Sequence, residues 1–183
     1  GHTVFGIEGD AEFADDHGFS EPPEAEAFIR DVAVSTRVDV GFTGGERLDL
    51  GDRFVEILHT PGHSWGHLAI LDESSGTVVI GDAVLGNTVP LEDGSPAFPP
   101  TYRNVDTYRA TIKSLKGRRP NRISPAHYPV LAGHDAQGFF DLSLVFADLV
   151  EATALEAVAA AGRPITLLEI VEASHDRLGP WPA

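Results

Sequence analysis

One stretch of the sequence limits the folds open to this chain, HTPGHSWGHLAILDESSGTVVIGDAVLG at residues 59–86. It holds two short apolar runs, residues 68–71 and 77–80, on either side of the polar segment 72–76. Short apolar runs bounded by turn residues are typical of buried strands. The pattern therefore predicts a β-hairpin with a five-residue loop.

The open end of this hairpin carries polar side chains suited to chemistry. With the loop closed, Gly66 is expected opposite Asp82, on neighbouring strands about 4.8 Å apart. His63 and His67 lie close to Gly66 in the sequence. We therefore expect His63, His67 and Asp82 to gather at one rim of the sheet.

The rest of the chain mixes strands and helices and then ends in helices alone. Valine spacing predicts a half-buried strand over residues 30–42, and Pro and Gly residues predict a long irregular loop over 86–100. The remaining predicted elements are strands at 3–7, 54–58 and within 121–130, and helices over 105–115, 135–162 and 166–177. This order predicts the α/β class, with a helical tail.

Two sequence features define the tail. Its long helix has an amphipathic pattern, which predicts one buried apolar face. That face comprises Leu142, Val145, Leu149, Ala152, Leu155 and Val158. Thr166, followed three residues later by Glu169, is a capping box that predicts the start of the last helix.

The composition excludes several kinds of chemistry and partner. The 183 residues include no cysteine, which excludes disulfides, thiolate nucleophiles and Cys-ligated zinc, so that any metal has to be held by His, Asp or Glu. The net charge of −15 opposes binding to nucleic acid, whose phosphates are also negative. No apolar run approaches the roughly 20 residues of a membrane helix, and no signal peptide opens the chain. We expect a soluble, cytoplasmic protein without a membrane partner.

A third candidate residue follows another short apolar run. His127 comes directly after Pro125 and Ala126, where the run RIS ends. Loops at strand ends are where a rigid sheet displays functional side chains, and imidazole together with carboxylate suits Zn²⁺. His63 and Asp82 taken singly also fit structural roles, as a hydrogen-bonding loop residue and as a turn or cap residue.

Neighbouring residues argue against one helical alternative. His63 and His67 have the i, i+4 spacing of helical zinc sites. Gly62 and Gly66 oppose a helix at this position, and no Glu follows His63 directly.

Three strings taken in order, HTPGHSWGH, VVIGDAVLG and SPAHYPV, resemble the second half of the metallo-β-lactamase superfamily. The resemblance implies an αββα sandwich, of which this chain forms mainly the second half, with a metal site at the sheet rim. It implies a division into residues 1–135, an N-terminally incomplete part of that fold, and residues 136–183, a helical and winged-helix-like extension.

The same resemblance implies roles for three residues. His63 is implied as a ligand of a first metal, Asp82 as the carboxylate that bridges two metals, and His127 as a ligand of the second. With an aspartate rather than a cysteine at the bridging position, the chain resembles the glyoxalase II, lactonase and general hydrolase branches of the superfamily. In an intact member, two Zn²⁺ ions generate a hydroxide that attacks an ester, thioester, lactone or amide carbonyl of a small acyl substrate. No catalytic residue is implied beyond the metal ligands.

The chain departs from the family pattern near its start. The first family motif, His-x-His-x-Asp-His, supplies four further ligands and is not found in the sequence. The nearest string is EFADDH at residues 12–17, which lacks the two leading histidines. The sequence begins with Gly1 and contains no methionine, and we expect that an upstream part has been lost by truncation or processing.

The loss of half the ligands has consequences for function. We expect Zn²⁺ binding by this chain to be weak or absent and hydrolysis to be slight. Half of a sandwich exposes an apolar sheet face, and we expect a homo-oligomer in which a second copy covers it. The alternative function is a non-catalytic binding or assembly module that retains half of the fold.

Overall fold

The computed structural model describes residues 37–179, together with Ala27 and Asp31. Within 37–179, six strands form a mixed sheet in the order β1-β2-β3-β4-β7-β8, and β5 and β6 form a separate pair. The strands are β1 (Arg47–Asp49), β2 (Phe54–His59), β3 (Leu68–Asp72), β4 (Thr77–Gly81), β5 (Val89–Pro90), β6 (Pro96–Phe98), β7 (Arg122–Pro125) and β8 (Leu131–Ala132). The helices in this range are α1 (Val105–Gly117), α2 (Gly133–Ala161) and α3 (Leu167–Leu178). The α/β class predicted from the sequence is confirmed.

The central hairpin forms between β3 and β4, but its register differs from the predicted one by one residue. Asp72 pairs with Thr77, so the loop between them has four residues rather than five. The Asp72 carboxylate accepts a hydrogen bond from the backbone N–H of Ser74 at 2.9 Å, and this turn makes Asp72 the last residue of its strand. Extending the pairing outward places His67, and not the residue before it, opposite Asp82.

One face of the sheet packs against α1 and α2. Alternate side chains of a strand point to the same face of a sheet. On the face that packs against the helices, Ala69 of β3 and Ile80 of β4 are fully buried. They belong to a core cluster with Ile112 of α1 and Phe140 of α2. Gly62, after β2, and Leu85, after β4, both contact Tyr108 of α1.

Helix α1 begins at a side-chain cap and is tied to α2 by ion pairs, among them those of Arg109. The side-chain oxygen of Asn104 accepts a hydrogen bond from the backbone N–H of Thr107, which supports the N-terminus. Arg109 donates to Asp148 at 2.9 Å and to Glu151 at 2.7 Å. The predicted helix over 105–115 is therefore confirmed, with Gly117 as its last residue.

Helix α2 buries a face other than the predicted one. Leu142 and Val145, which belong to the predicted face, are 42% and 66% exposed. The helix is apolar on two adjoining sides, and the side with the phenylalanines removes more apolar area from water when it packs inward. The residues buried along α2 are Ala136, Phe139, Phe140, Ser143, Phe146, Ala147 and Thr153.

Helix α2 ends, and helix α3 begins, at the predicted signals. Gly162, with φ of +61°, caps the C-terminus of α2. The capping box of Thr166 and Glu169 is confirmed at the start of α3. Phe140 of α2 lies in the main core, so α2 packs against the sheet. The division of the chain at residue 135 stays a prediction. No helix in the described part of the chain has the length and apolar character needed to cross a bilayer.

Two expectations about strands and loops were wrong. Residues 37–42 form no strand, and Val38 is 75% exposed, because β1 already occupies the sheet edge next to β2. The predicted irregular loop over 86–100 contains the β5–β6 hairpin, in which Val89 pairs with Phe98. The predicted strand at 3–7 lies outside the described residues, as does most of the segment 30–36.

Candidate functional site

The loop between β2 and β3 carries His63 and is fixed against helix α1. The carbonyl of Pro61 accepts a hydrogen bond from the Thr111 hydroxyl at 2.6 Å. Gly62 has a φ of +135°, and a Cβ atom there would lie 2.6 Å from the Cα atom of Tyr108. Only glycine combines this conformation with so close an approach. The position of His63 therefore depends on Gly62.

The His63 ring is held in one tautomer. Its Nδ1 lies 2.8 Å from the carbonyl oxygen of Thr101. A carbonyl can only accept a hydrogen bond, so Nδ1 carries the hydrogen and Nε2 of the neutral ring carries a lone pair. That Nε2 lies 3.9 Å from Oδ2 of Asp82. The ring thus turns its electron pair toward a carboxylate.

Asp82 is positioned by the buried segment that follows it. The backbone N–H of Leu85 donates to the Tyr108 hydroxyl at 3.0 Å, and that of Gly86 donates to Ser143 Oγ at 3.0 Å. Burial raises the pKa of the Tyr108 hydroxyl above its usual range. The hydroxyl therefore stays protonated, and this segment is anchored to both α1 and α2.

His127 reaches Asp82 because two strands run in parallel. β4 pairs with β7 in parallel register, so the carboxyl ends of both strands meet at one edge of the sheet. The backbone N–H of Ala126 donates to the carbonyl of Gly81 at 3.2 Å. The adjacent His127 places Nε2 3.2 Å from Oδ1 of Asp82.

Asp82 Oδ1 is buried and has no hydrogen-bond partner among the described residues. His127 Nε2 lies 3.2 Å away, but the angles between the two groups are not those of a hydrogen bond. A buried carboxylate oxygen without a donor is costly unless a positive charge compensates it.

His67 completes the rim and lies at the start of β3. Its Nδ1 lies 2.8 Å from the Thr60 hydroxyl, and its Nε2 accepts a hydrogen bond from the backbone N–H of Asp82 at 3.2 Å. Burial lowers the pKa of His67, and the neighbouring charge of His63 lowers it further, while the Asp82 carboxylate opposes both effects. The ring is therefore neutral near pH 7.

These groups fit zinc in their chemistry but do not form a complete site. Two imidazoles and one carboxylate are donors that Zn²⁺ accepts, and the unpartnered Oδ1 of Asp82 suits a cation. No group of three or more His, Asp or Glu side chains within the described residues is arranged to hold an ion by itself. A catalytic zinc site needs three protein ligands for each ion.

The structure brings together the three residues singled out in the sequence, His63, Asp82 and His127. Their side chains are 30%, 29% and 42% exposed, so the rim is open to solvent. The alternative motif at residues 12–17 lies outside the described residues. The sequence predicted His67 at the rim but indicated no contact for it. The observed register of β3 and β4 places His67 opposite Asp82, where its Nε2 accepts a hydrogen bond from the Asp82 backbone.

Two cavities of the described residues lie away from this rim. One, of about 450 Å³, lies between β2 and α1 and includes His59, Glu56 and Arg118. The other, of about 510 Å³, lies between α2 and α3 and includes Glu156 and Arg177. Neither includes His63, Asp82 or His127.

Comparisons with known proteins identify a matching family model and similar folds. The family model of the metallo-beta-lactamase superfamily matches residues 4–127. A metallo-beta-lactamase family protein from Thermus thermophilus is similar in structure, with a TM-score of 0.61 and 21% identity over 86% of this chain and 50% of that chain. A beta-lactamase domain protein from Burkholderia ambifaria has a TM-score of 0.58 and 21% identity over 86% of this chain and 45% of that chain. The chain thus spans about half the length of these two structures.

Proposed function

This chain belongs to the metallo-β-lactamase superfamily, and from that membership we propose that it is part of a metal-dependent hydrolase of small acyl compounds. In this proposal His63, Asp82 and His127 would be metal ligands, and Asp82 would contribute to two Zn²⁺ sites. Further ligands come from outside the described residues, since the described ones form no complete group. The substrate class is an ester, thioester, lactone or amide.

The position of one carboxylate between two imidazoles carries the proposal. The two oxygens of Asp82 face different histidines, with Oδ2 3.9 Å from His63 Nε2 and Oδ1 3.2 Å from His127 Nε2. A carboxylate with one oxygen toward each of two sites is suited to bridging two ions. The hydrogen bond from His63 Nδ1 to the Thr101 carbonyl at 2.8 Å supports the same function, because such a bond orients a metal-binding imidazole.

Each residue of the rim has a defined part in this chemistry. When bound, zinc supplies a Lewis acid that polarises a carbonyl and lowers the pKa of coordinated water. In its neutral form His63 would present the Nε2 lone pair, because the hydrogen on Nδ1 is donated to the Thr101 carbonyl. Asp82 holds a negative charge at the centre of the rim and accepts a hydrogen bond from the attacking water. The exposure of the three side chains leaves room for a small substrate.

Metal analysis of the protein as made in its source organism tests this function. We expect two equivalents of zinc, and a D82A variant should lose most of them. A matched control is D141A, which removes an exposed carboxylate of α2 that pairs with Lys116. Equal zinc content in D82A and the unaltered protein would contradict the assignment of Asp82.

A non-catalytic binding or assembly module is the second candidate. One observation favours it, since the described residues hold no complete metal-binding group. In that case the protein from its source organism contains no zinc and hydrolyses none of the acyl classes above. Two equivalents of zinc together with hydrolysis would exclude this candidate.

We also propose that a second copy of the chain covers an exposed face of the sheet. Ile70 and Val79 pair across β3 and β4 and are 41% and 49% exposed, on the face away from the core. An apolar sheet face of this kind favours association. We expect V79K to shift the chain from dimer to monomer in light scattering, whereas V130K, at another exposed valine, should not. A monomeric unaltered chain at micromolar concentration would contradict the association.

A further inference from the structure

His67 is a half-buried titratable group at the rim that the proposed chemistry does not use. Both of its ring nitrogens are engaged, Nδ1 with the Thr60 hydroxyl at 2.8 Å and Nε2 with the Asp82 backbone N–H at 3.2 Å. A backbone N–H can only donate, so Nε2 is the acceptor and Nδ1 carries the hydrogen. Nδ1 then donates to Thr60. The Thr60 hydroxyl can in turn donate to the His67 carbonyl at 3.4 Å.

These bonds join three strand ends at the point where the ladder stops. Backbone pairing of β3 with β4 ends at Ile70 and Val79, so the ladder does not hold the residues nearer the rim. His67 directly precedes β3, Asp82 directly follows β4, and Thr60 directly follows β2. The imidazole therefore replaces the missing ladder bonds at the site where Asp82 must be held.

Gly81 makes room for this contact. It has a φ of +50°, and a Cβ atom there would lie 3.2 Å from Nε2 of His67. The ring consequently lies directly against the peptide that precedes Asp82. Little freedom is left for that peptide to turn.

We propose that His67 is a positioning residue, whose neutral imidazole fixes the Asp82 backbone and so sets the carboxylate between His63 and His127. The inference deepens the proposed function and rests on it for its consequence, because the value of a fixed carboxylate lies in metal binding. Residues that orient metal ligands in this way change metal affinity by about 10- to 100-fold when they are replaced.

Two matched substitutions separate the two ring nitrogens of His67. The side-chain amide of glutamine reaches the position of Nε2, whereas that of asparagine reaches the position of Nδ1. H67Q can therefore still accept from Asp82 N–H, and H67N cannot. We expect amide hydrogen exchange at Asp82 to rise at least about tenfold in H67N and to remain near the unaltered rate in H67Q. Zinc affinity, measured by NMR titration, should fall about tenfold in H67N and be rescued in H67Q.

The tautomer of His67 can be measured in the unaltered chain, so this test does not depend on whether a variant folds. Nitrogen-15 NMR of the ring should show His67 protonated at Nδ1 and unprotonated at Nε2. A ring protonated at Nε2, or equal exchange at Asp82 in H67N and H67Q, would overturn the positioning role. If the protein from its source organism contains no zinc while the tautomer and the exchange pattern hold, the proposed function fails and the fixing of Asp82 by His67 stands.

Discussion

Nε2 of His127 lies 3.2 Å from Oδ1 of Asp82, although the two residues follow strands that are separated by a hairpin and a helix in the sequence. The parallel pairing of β4 with β7 brings them to one edge. Since Oδ1 has no hydrogen-bond partner among the described residues, this pair is set up for a positive charge rather than for a neutral contact. Metal affinity should depend on this pair, and the position of the pair should depend on the packing that maintains it.

Replacing Asp82 by asparagine should separate stability from metal binding. The substitution removes the charge of a carboxylate with a buried, unpartnered oxygen, and a neutral amide costs less to bury. Without zinc at pH 8, we expect D82N to equal the unaltered chain in free energy of unfolding or to exceed it by up to about 1 kcal/mol. Zinc affinity should fall at least about tenfold. Urea unfolding and zinc titration measure the two quantities.

The exposed carboxylate of Asp141 offers a control for this experiment. D141N should change the free energy of unfolding by less than about 0.5 kcal/mol and leave zinc affinity unchanged. A loss of more than about 1 kcal/mol in D82N would show that the carboxylate stabilises the metal-free fold, which contradicts the role given to Asp82.

Gly62 should tolerate no side chain, in contrast to Gly66 of the same loop. A Cβ atom at Gly62 would lie 2.6 Å from Cα of Tyr108, whereas nothing lies within 4 Å of a Cβ atom at Gly66. We expect G62A to lower the free energy of unfolding by about 1–3 kcal/mol and to displace His63, and G66A to change it by less than about 1 kcal/mol. Urea unfolding of the two variants checks this, and equal effects would refute the anchoring of the loop.

The capping box of α3 should titrate at low pH. The Arg163 guanidinium, together with the backbone N–H of Thr166, lowers the pKa of Glu169 from 4.5 to about 2. Because the folded pKa is lowered, the contribution of Glu169 to α3 is complete above about pH 4.5 and is lost as the pH falls toward about 2. Carbon-13 NMR of the carboxyl measures this pKa. R163A should raise it toward 4.5, while R177A, at the other end of α3, should not, and a pKa near 4.5 in the unaltered chain would disprove the pairing.

The face that α2 buries can be tested with two truncations. Phe140 is fully buried, and Val145 is 66% exposed. We expect F140A to lower the free energy of unfolding by about 3–5 kcal/mol and V145A to lower it by less than about 0.5 kcal/mol. Denaturant unfolding gives both values. The opposite order would restore the face that the sequence pattern indicated.

Sequence patterns predicted the fold where one signal dominated. The apolar runs of β2, β3 and β4 and the capping box at Thr166 had no competing interpretation. On α2 two apolar sides adjoin, and spacing alone cannot tell which one meets the core. In the β3–β4 hairpin the turn bonds of Asp72 decide the register, and these depend on side-chain geometry that the apolar pattern does not contain.

The candidate site was predictable in its residues but not in its supports. His63, Asp82 and His127 each follow a strand, and strand ends gather at a sheet edge. The hydrogen-bond acceptor for His63 is the backbone carbonyl of Thr101. Every residue has such a carbonyl, so the residue type at position 101 could not predict this contact. The contact between His67 and Asp82 was missed because the predicted register of the β3–β4 hairpin was wrong by one residue.

A zinc titration of this chain, followed through the ring nitrogens of its histidines by NMR, tests most directly whether Asp82 joins two metal-binding imidazoles. We predict that the Nε2 signals of His63 and His127 move together as zinc is added, and that D82N abolishes the joint movement. The rings of His134 and His175, which lie in α2 and α3, should stay unchanged. Movement at His134 or His175 alone, or independent movement of His63 and His127 that survives D82N, would contradict the shared carboxylate.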